Sequence, residues 1–214
     1  MKRLAIIGSN DLGRLIAYHA RNDGNYQLMG FFDNRKPIGE NIGDYAEVVG
    51  AVDDVEKLYS QDLFDELMVG VGYTRFDFRR ECFDRFFGRI PFATIVHSSS
   101  FVDKSSTLGE GVFILPGCTV DMECTIGNNV LLNTGCKLAH HVTISGHSFL
   151  APAVSVAGYV SIGSQSFIGI GATIIDNIKI CEKVVIGAGA VVTKEINEAG
   201  LYVGCPAGKA NRKQ

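Results

Sequence analysis

Three of the five histidines, His140, His141 and His147, fall within the stretch LAHHVTISGHSF, Leu138 to Phe149. Imidazoles so close in sequence could hold a metal ion, supply a catalytic base, or decorate a surface. A metal needs three or four ligands at about 2.0–2.1 Å. A base needs one imidazole, whose ordinary pKa of about 6.5 suits proton removal near neutrality. The backbone that carries the cluster decides between these uses.

That backbone is strongly periodic. Every sixth residue from Val102 to Val192 is Val, Ile or Leu, beginning Val102, Leu108, Ile114, Val120. Four residues after each lies a second register of mostly small or β-branched side chains: Ser106, Val112, Cys118, Cys124, Val130, Cys136, Val142. Glycine often follows the aliphatic residue directly, as at Gly109, Gly127, Gly163, Gly169 and Gly187. This is the pattern of a parallel β-helix of hexapeptide repeats, in which three faces close one coil and residues three hexads apart stack along the axis. The aliphatic register points inward and the second register fills the corners. His141 and His147, six apart, therefore occupy equivalent places on adjacent faces, and His140 lies near a corner. No spacing brings three imidazoles to one point, so no metal is expected.

The same register explains the cysteines. Cys118, Cys124 and Cys136 are separated by multiples of six and read as corner packing. There is no C-x-x-C pair among the six cysteines, and a reduced, cytoplasmic protein is expected.

Residues 1–97 alternate strand and helix signals instead. RLAIIG, YQLMGFFDN, DELMVGVGY and FATIVH read as strands. DLGRLIAYHARNDG, with a stop at Gly24, DDVEKLYSQD and TRFDFRRECFDRFFG read as helices, and residues 35–50 as loop. This alternation implies a small α/β, Rossmann-like domain with a parallel sheet. The expected organisation is α/β over 1–97, β-helix over 98–196, and a C-terminal cap and tail over 197–214. Net charge is -3 with no basic block, which argues against nucleic acid. No apolar run approaches the ~20 residues that span a bilayer.

Gly8-Ser9-Asn10-Asp11-Leu12-Gly13 sits where the first strand meets the first helix, and free N–H groups there favour phosphate. It reads G-x-N-x-x-G, a weak dinucleotide fingerprint. Asp33, at the end of the second strand, is placed to accept hydrogen bonds from a ribose or base. The domain is short for a full dinucleotide fold, which favours a nucleoside diphosphate over NAD.

The unbroken hexad ending in YVGCPAGK resembles the left-handed β-helix acyltransferases. The segments AIIGSNDLGR, FFDN, VGVGYTRFDFRR and LLNTGCKLAHHVTI make the chain similar to the nucleotide-sugar N-acetyltransferase family of amino-dideoxy sugars, with its sialic-acid O-acetyltransferase relatives. The resemblance implies an acetyl-CoA-dependent homotrimer, with nucleotide sugar on the α/β half and acetyl-CoA in the cleft between neighbouring β-helices. It places the general base on His140, which follows Asn133-Thr134 at the family's spacing. It places substrate contacts at Gly8, Asn10, Asp11, Leu12, Asp33, Asn34 and Gly72.

For the cofactor the resemblance points to His147, Phe149, Gly158, Ile170, Ala188 and Lys209. Gly204, Pro206 and Ala207 would shape the pantetheine turn, and Arg212 is available for CoA phosphates. Gly158, one stack from His140, offers a backbone N–H to the thioester oxygen. Three positions depart from the family. His141 stands where an acidic residue usually orients the base, Phe149 replaces a histidine, and Leu12 replaces another. A neutral His141 could accept a hydrogen bond from His140, whereas a charged one would oppose its protonation. Two other activities fit the same pattern: O-acetylation of a sugar, or nucleotide-sugar binding by a non-catalytic trimer.

Overall fold

The computed structural model describes residues 1–23 and 26–210. Gly24 and Arg212 lie outside the described residues. The chain divides into two compact units, Met1–Ile95 and Val96–Gln214.

In the first unit the elements run β1 (Lys2–Ile7), α1 (Asp11–Asn22), β2 (Tyr26–Phe32), β3 (Asn41–Ile42), β4 (Ala46–Gly50), α2 (Val55–Ser60), β5 (Glu66–Val69) and α3 (Phe76–Phe86). The sheet order is β3-β4-β2-β1-β5. Strands β4, β2, β1 and β5 are parallel, and the central β1 buries Leu4 to Ile7 completely. Such a continuous apolar run is what a strand covered on both faces requires. Phe64, Phe83 and Phe86 pack over the sheet.

Two expectations need correction here. Residues 35–50 are not all loop: β3 and β4 form an antiparallel hairpin, and β4 joins the parallel sheet beside β2. Only Ile42 and Val48 supply buried aliphatic anchors to this hairpin, so its apolar pattern is too thin to mark a strand. FATIVH is not one strand either. Phe92 makes a single parallel bridge to Leu67, while the strand proper is only Ile95–Val96.

The second unit is a left-handed parallel β-helix. From Phe101–Val102 to Val191–Val192 each repeat forms a short strand whose last residue is the aliphatic register residue. Strands one full coil apart pair in parallel, as Thr119-Val120 with Lys137-Leu138 and these with Ser155-Val156, building three stacked sheets. The inward residues from Ile114 to Val192 are nearly all inaccessible to solvent and form one continuous core. Ile144→Ala should therefore lower stability by about 2–5 kcal/mol, because a stacked core cannot collapse onto the cavity. A fall in the urea midpoint with unchanged m-value checks this.

The corners explain the rest of the hexad. Every sixth residue from Gly111 to Gly189 has a positive φ, and many of these are not glycine: Glu123, Asn129, His141, His147, Tyr159 and Gln165 among them. Serines and cysteines of the second register satisfy backbone groups of the next coil. Ser106 Oγ donates to the Asp121 carbonyl (2.6 Å) and accepts from the Cys124 N–H (2.8 Å). Cys118, Cys124 and Cys136 direct Sγ at carbonyls of the next coil, at 3.0–3.2 Å. All six cysteines are free. At the C-terminal end, Gly200–Val203 extends one sheet beside Val184–Ile186, and Tyr202 and Ala207 pack on the core.

Candidate active site

The loop from β1 to α1 forms because three glycines let backbones meet. A Cβ on Gly13 would lie 2.0 Å from the Gly8 carbonyl oxygen, and one on Gly70 would lie 2.6 Å from the Gly13 Cα. Gly8 also has φ +93°, where side chains are strained. Gly13→Ala should cost roughly 1–3 kcal/mol by overpacking. It should also displace the loop, so melting temperature and nucleotide-sugar affinity should fall together in thermal melts and calorimetry.

Around this loop is a cavity of about 380 Å³. Its lining gathers all of Gly8, Asn10, Asp11, Leu12, Asp33, Asn34 and Gly72. Asn10 is the N-cap of α1 with no side-chain cap, so the first-turn N–H groups of the helix lack a capping acceptor. Such a terminus favours an anion.

Asp33 is more committed than its position in the sequence suggests. It is only 9% exposed and accepts from the Ser9 N–H (3.0 Å), the Ser9 hydroxyl (2.6 Å) and the Arg35 N–H (2.9 Å). Burial pushes its carboxyl up, but these hydrogen bonds and nearby Lys36 outweigh that and hold it below the ordinary value. Its main visible task is to tie the glycine loop to the end of β2. Asn34 accepts from the Val52 N–H (2.8 Å), which leaves its amide nitrogen to donate.

Two further features of this site escaped the sequence reading. Thr74 and Arg75 line the cavity, and Arg75 lies over the Phe78 ring at 4.4 Å. Arg79 is fully buried and donates through Nη1 to the carbonyls of Val69 (2.7 Å) and Val71 (3.0 Å). Burial lowers its pKa to about 10. It braces the turn that carries Gly70 and Gly72. Its signal was only an arginine on the apolar face of a helix.

On the β-helix, His140 and His141 meet closely. Their Nδ1 atoms are 3.1 Å apart and their rings nearly perpendicular. His140 lies over Gly158: a Cβ there would be 2.6 Å from Cε1 and 3.0 Å from Nε2 of the imidazole. The Gly158 carbonyl accepts from the Asn177 N–H (3.0 Å). His141 stacks against Tyr159, with centroids 4.6 Å apart, and its Nε2 lies 2.5 Å from Glu123 Oε2. Glu123, His141 and Tyr159 stand on successive coils and share one column of corners. Beside this column is a shallow groove of about 380 Å³ lined by Lys137, Leu138, Ala139, Ser155 and Ala157.

The remaining candidates lie elsewhere on the β-helix. His147 sits in the next column, where its Nδ1 is 3.1 Å from Asn129 Nδ2. Phe149 is buried against Phe167, with centroids 5.6 Å apart. Ile170 and Ala188 occupy equivalent exposed positions on successive coils. Lys209 is paired with Glu198 at 2.5 Å. Among the described residues no group of His, Cys, Asp and Glu is placed to hold a metal ion.

Comparison with known proteins matches both halves of this description. Residues 159–194 match the model of the family "Bacterial transferase hexapeptide (six repeats)". No curated protein matches the chain by sequence. The acetyltransferase domain of PglB from Neisseria gonorrhoeae superposes with TM-score 0.89 at 24% identity, over 98% of this chain and 100% of that one. A variant of the GDP-perosamine N-acetyl transferase of Caulobacter crescentus, in complex with CoA and GDP-perosamine, gives 0.87 at 27% identity, over 99% and 98%. WeeI from Acinetobacter baumannii gives 0.82 at 19%, over 98% and 100%. Over nearly its whole length, the chain is thus similar to the left-handed β-helix sugar N-acetyltransferases, and its second unit carries their hexapeptide repeat.

Proposed function

We propose that this protein is an acyltransferase that moves acetyl from acetyl-CoA to the amine of a nucleotide-linked amino-dideoxy sugar, with His140 as general base. The observation that carries the reading is the placement of His140. Its ring lies over a glycine on a β-helix, in a chain similar end to end to an enzyme solved with CoA and a nucleotide sugar. The α/β unit is then a Rossmann-like nucleotide-sugar domain. Its cavity takes the diphosphate at the α1 N-terminus, with Asn10, Asp11, Leu12, Asn34 and Gly72 around the nucleoside or sugar. The spare lone pair of Asp33 Oδ1 completes this set.

The chemistry follows from the base. The amine attacks the thioester carbonyl, and the Gly158 N–H faces the oxygen that gains charge. His140 takes the proton from nitrogen. The C–S bond breaks, and the CoA thiolate receives that proton back from the imidazolium. No acyl-enzyme is needed, since Cys118, Cys124 and Cys136 are sealed in the core and burial raises the Cys124 thiol. Ile170, Ala188, His147, Phe149 and Lys209 are assigned to the acetyl-CoA side. Free thiols throughout support a cytoplasmic setting. Exposed Met122, Tyr159 and Ile175 support burial of the β-helix flank in a homotrimer.

The test is CoA release, followed by chromatography, from acetyl-CoA and a panel of UDP-, dTDP- and GDP-linked 3- and 4-amino sugars plus sialic acid. Turnover of one amino sugar is the expected result. Turnover of sialic acid alone would make the enzyme an O-acetyltransferase, and silence with a nucleotide sugar still bound would leave a non-catalytic binder.

A further inference from the structure

We infer that Glu123 is a positioning residue for the base, acting through His141 from the neighbouring coil. This deepens the proposed function and rests on His140 being the base. The family's acidic residue is absent after His140, yet a carboxylate contacts the His141 that stands in its place. Glu123 precedes His141 by three hexads, so one turn of the β-helix brings it directly beneath.

Hydrogen-bond logic fixes the protons. Glu123 is an anion and only accepts, so His141 carries its proton on Nε2, 2.5 Å from Oε2. A neutral imidazole protonated at Nε2 has a lone pair on Nδ1. That lone pair lies 3.1 Å from His140 Nδ1, which must therefore be the donor. His140 is left with its lone pair on Nε2, while the Cε1 edge of the ring faces Gly158. The chain of bonds thus selects the Nδ1–H tautomer of His140, the minor form of a free histidine side chain. When His140 Nε2 takes the amine proton, the positive charge is linked to the Glu123 carboxylate through His141.

The other titratable groups at this corner are few. Tyr159 covers His141 from the next coil, with its ring against both imidazoles. Asp121, whose Oδ1 accepts from the Met122 N–H, and Asp176, whose Oδ2 accepts from Asn177, flank the same column. Glu123 is the carboxylate in contact with the His141 ring, at Nε2. Its side chain is half exposed, so its influence is weaker than that of a buried triad carboxylate.

Two measurements test the inference. Long-range ¹H–¹⁵N correlation spectra of the unliganded protein, above the imidazole titration, should show His140 as Nδ1–H. In Glu123→Ala, which removes the acceptor, it should return to the ordinary Nε2–H majority. In kinetics, Glu123→Gln should lower kcat/KM by about 10- to 100-fold, below the ~10⁴ lost when a buried triad carboxylate is neutralised. KM should be unchanged, and the acidic limb of the pH profile should move to lower pH because the protonated pair has lost its anion. A wild-type His140 protonated at Nε2 would overturn the inference even if the variant failed to fold. So would a folded Glu123→Gln with a wild-type pH profile. If His140→Ala kept full activity, the base assignment would fall instead, whatever the tautomer.

Discussion

His140→Ala should lower kcat for acetyl transfer by about 10²- to 10⁴-fold, the range a positioned general base contributes. KM for both substrates should stay close to wild type, because the proposed nucleotide pocket belongs to the first unit and, in the proposed mechanism, the imidazole acts on the proton alone. The acidic limb of the pH–rate profile should disappear with the imidazole. Steady-state kinetics with CoA followed by chromatography checks this without interference from the six protein thiols. The variant should fold normally, since His140 contributes nothing to the aliphatic stack that holds the β-helix together.

Gly158→Ala should be nearly as damaging although it removes no functional group. The added Cβ would lie 2.6 Å from Cε1, 3.0 Å from Nε2 and 3.1 Å from Nδ1 of His140. The side chain must move, and moving it breaks the 3.1 Å contact with His141 that holds its tautomer. A displacement of about 1 Å at a reacting group can cost about 10²-fold, and a loss of that size in kcat is expected. Stability should change little, because the clash is with the movable end of a side chain. Unaltered kcat in Gly158→Ala would mean that His140 is not held over residue 158 during turnover.

Much of this arrangement was legible because the hexad is a direct image of the coil. The aliphatic register named the central residues of the stack from Ile114 to Val192, and the second register accounted for the burial of Cys118, Cys124 and Cys136. In the α/β unit the Gly8–Gly13 turn and Asp33 were legible for a different reason, whereas Asn34 and Gly72 were reached only through the family resemblance. A glycine-bounded turn between strand and helix can go to few places.

What the sequence concealed lies where contacts are made across coils or by single residues. The carboxylate serving the histidine pair was sought beside His140 in the chain, but it stands a full coil before His141. The period that revealed the fold also brings Glu123 to His141, since stacked strands lie about 4.8 Å apart. The left-handed corners were hidden because His141, His147 and Tyr159 occupy positions where glycine would be the usual sign. The hairpin of residues 41–50 has too few buried aliphatics to alternate visibly. The double use of Asp33 could not be read at all, because it depends on Ser9 folding back across the glycine loop.

One measurement tests the central claim most directly. Acetyl-CoA is offered with two nucleotide sugars that differ only in carrying an amine or a hydroxyl at the acceptor carbon, and the products are identified by mass spectrometry. The account predicts a single N-acetylated product from the amino sugar and none from its hydroxyl counterpart. Equal acetylation of the hydroxyl sugar, or intact acetyl-CoA with both, would contradict it.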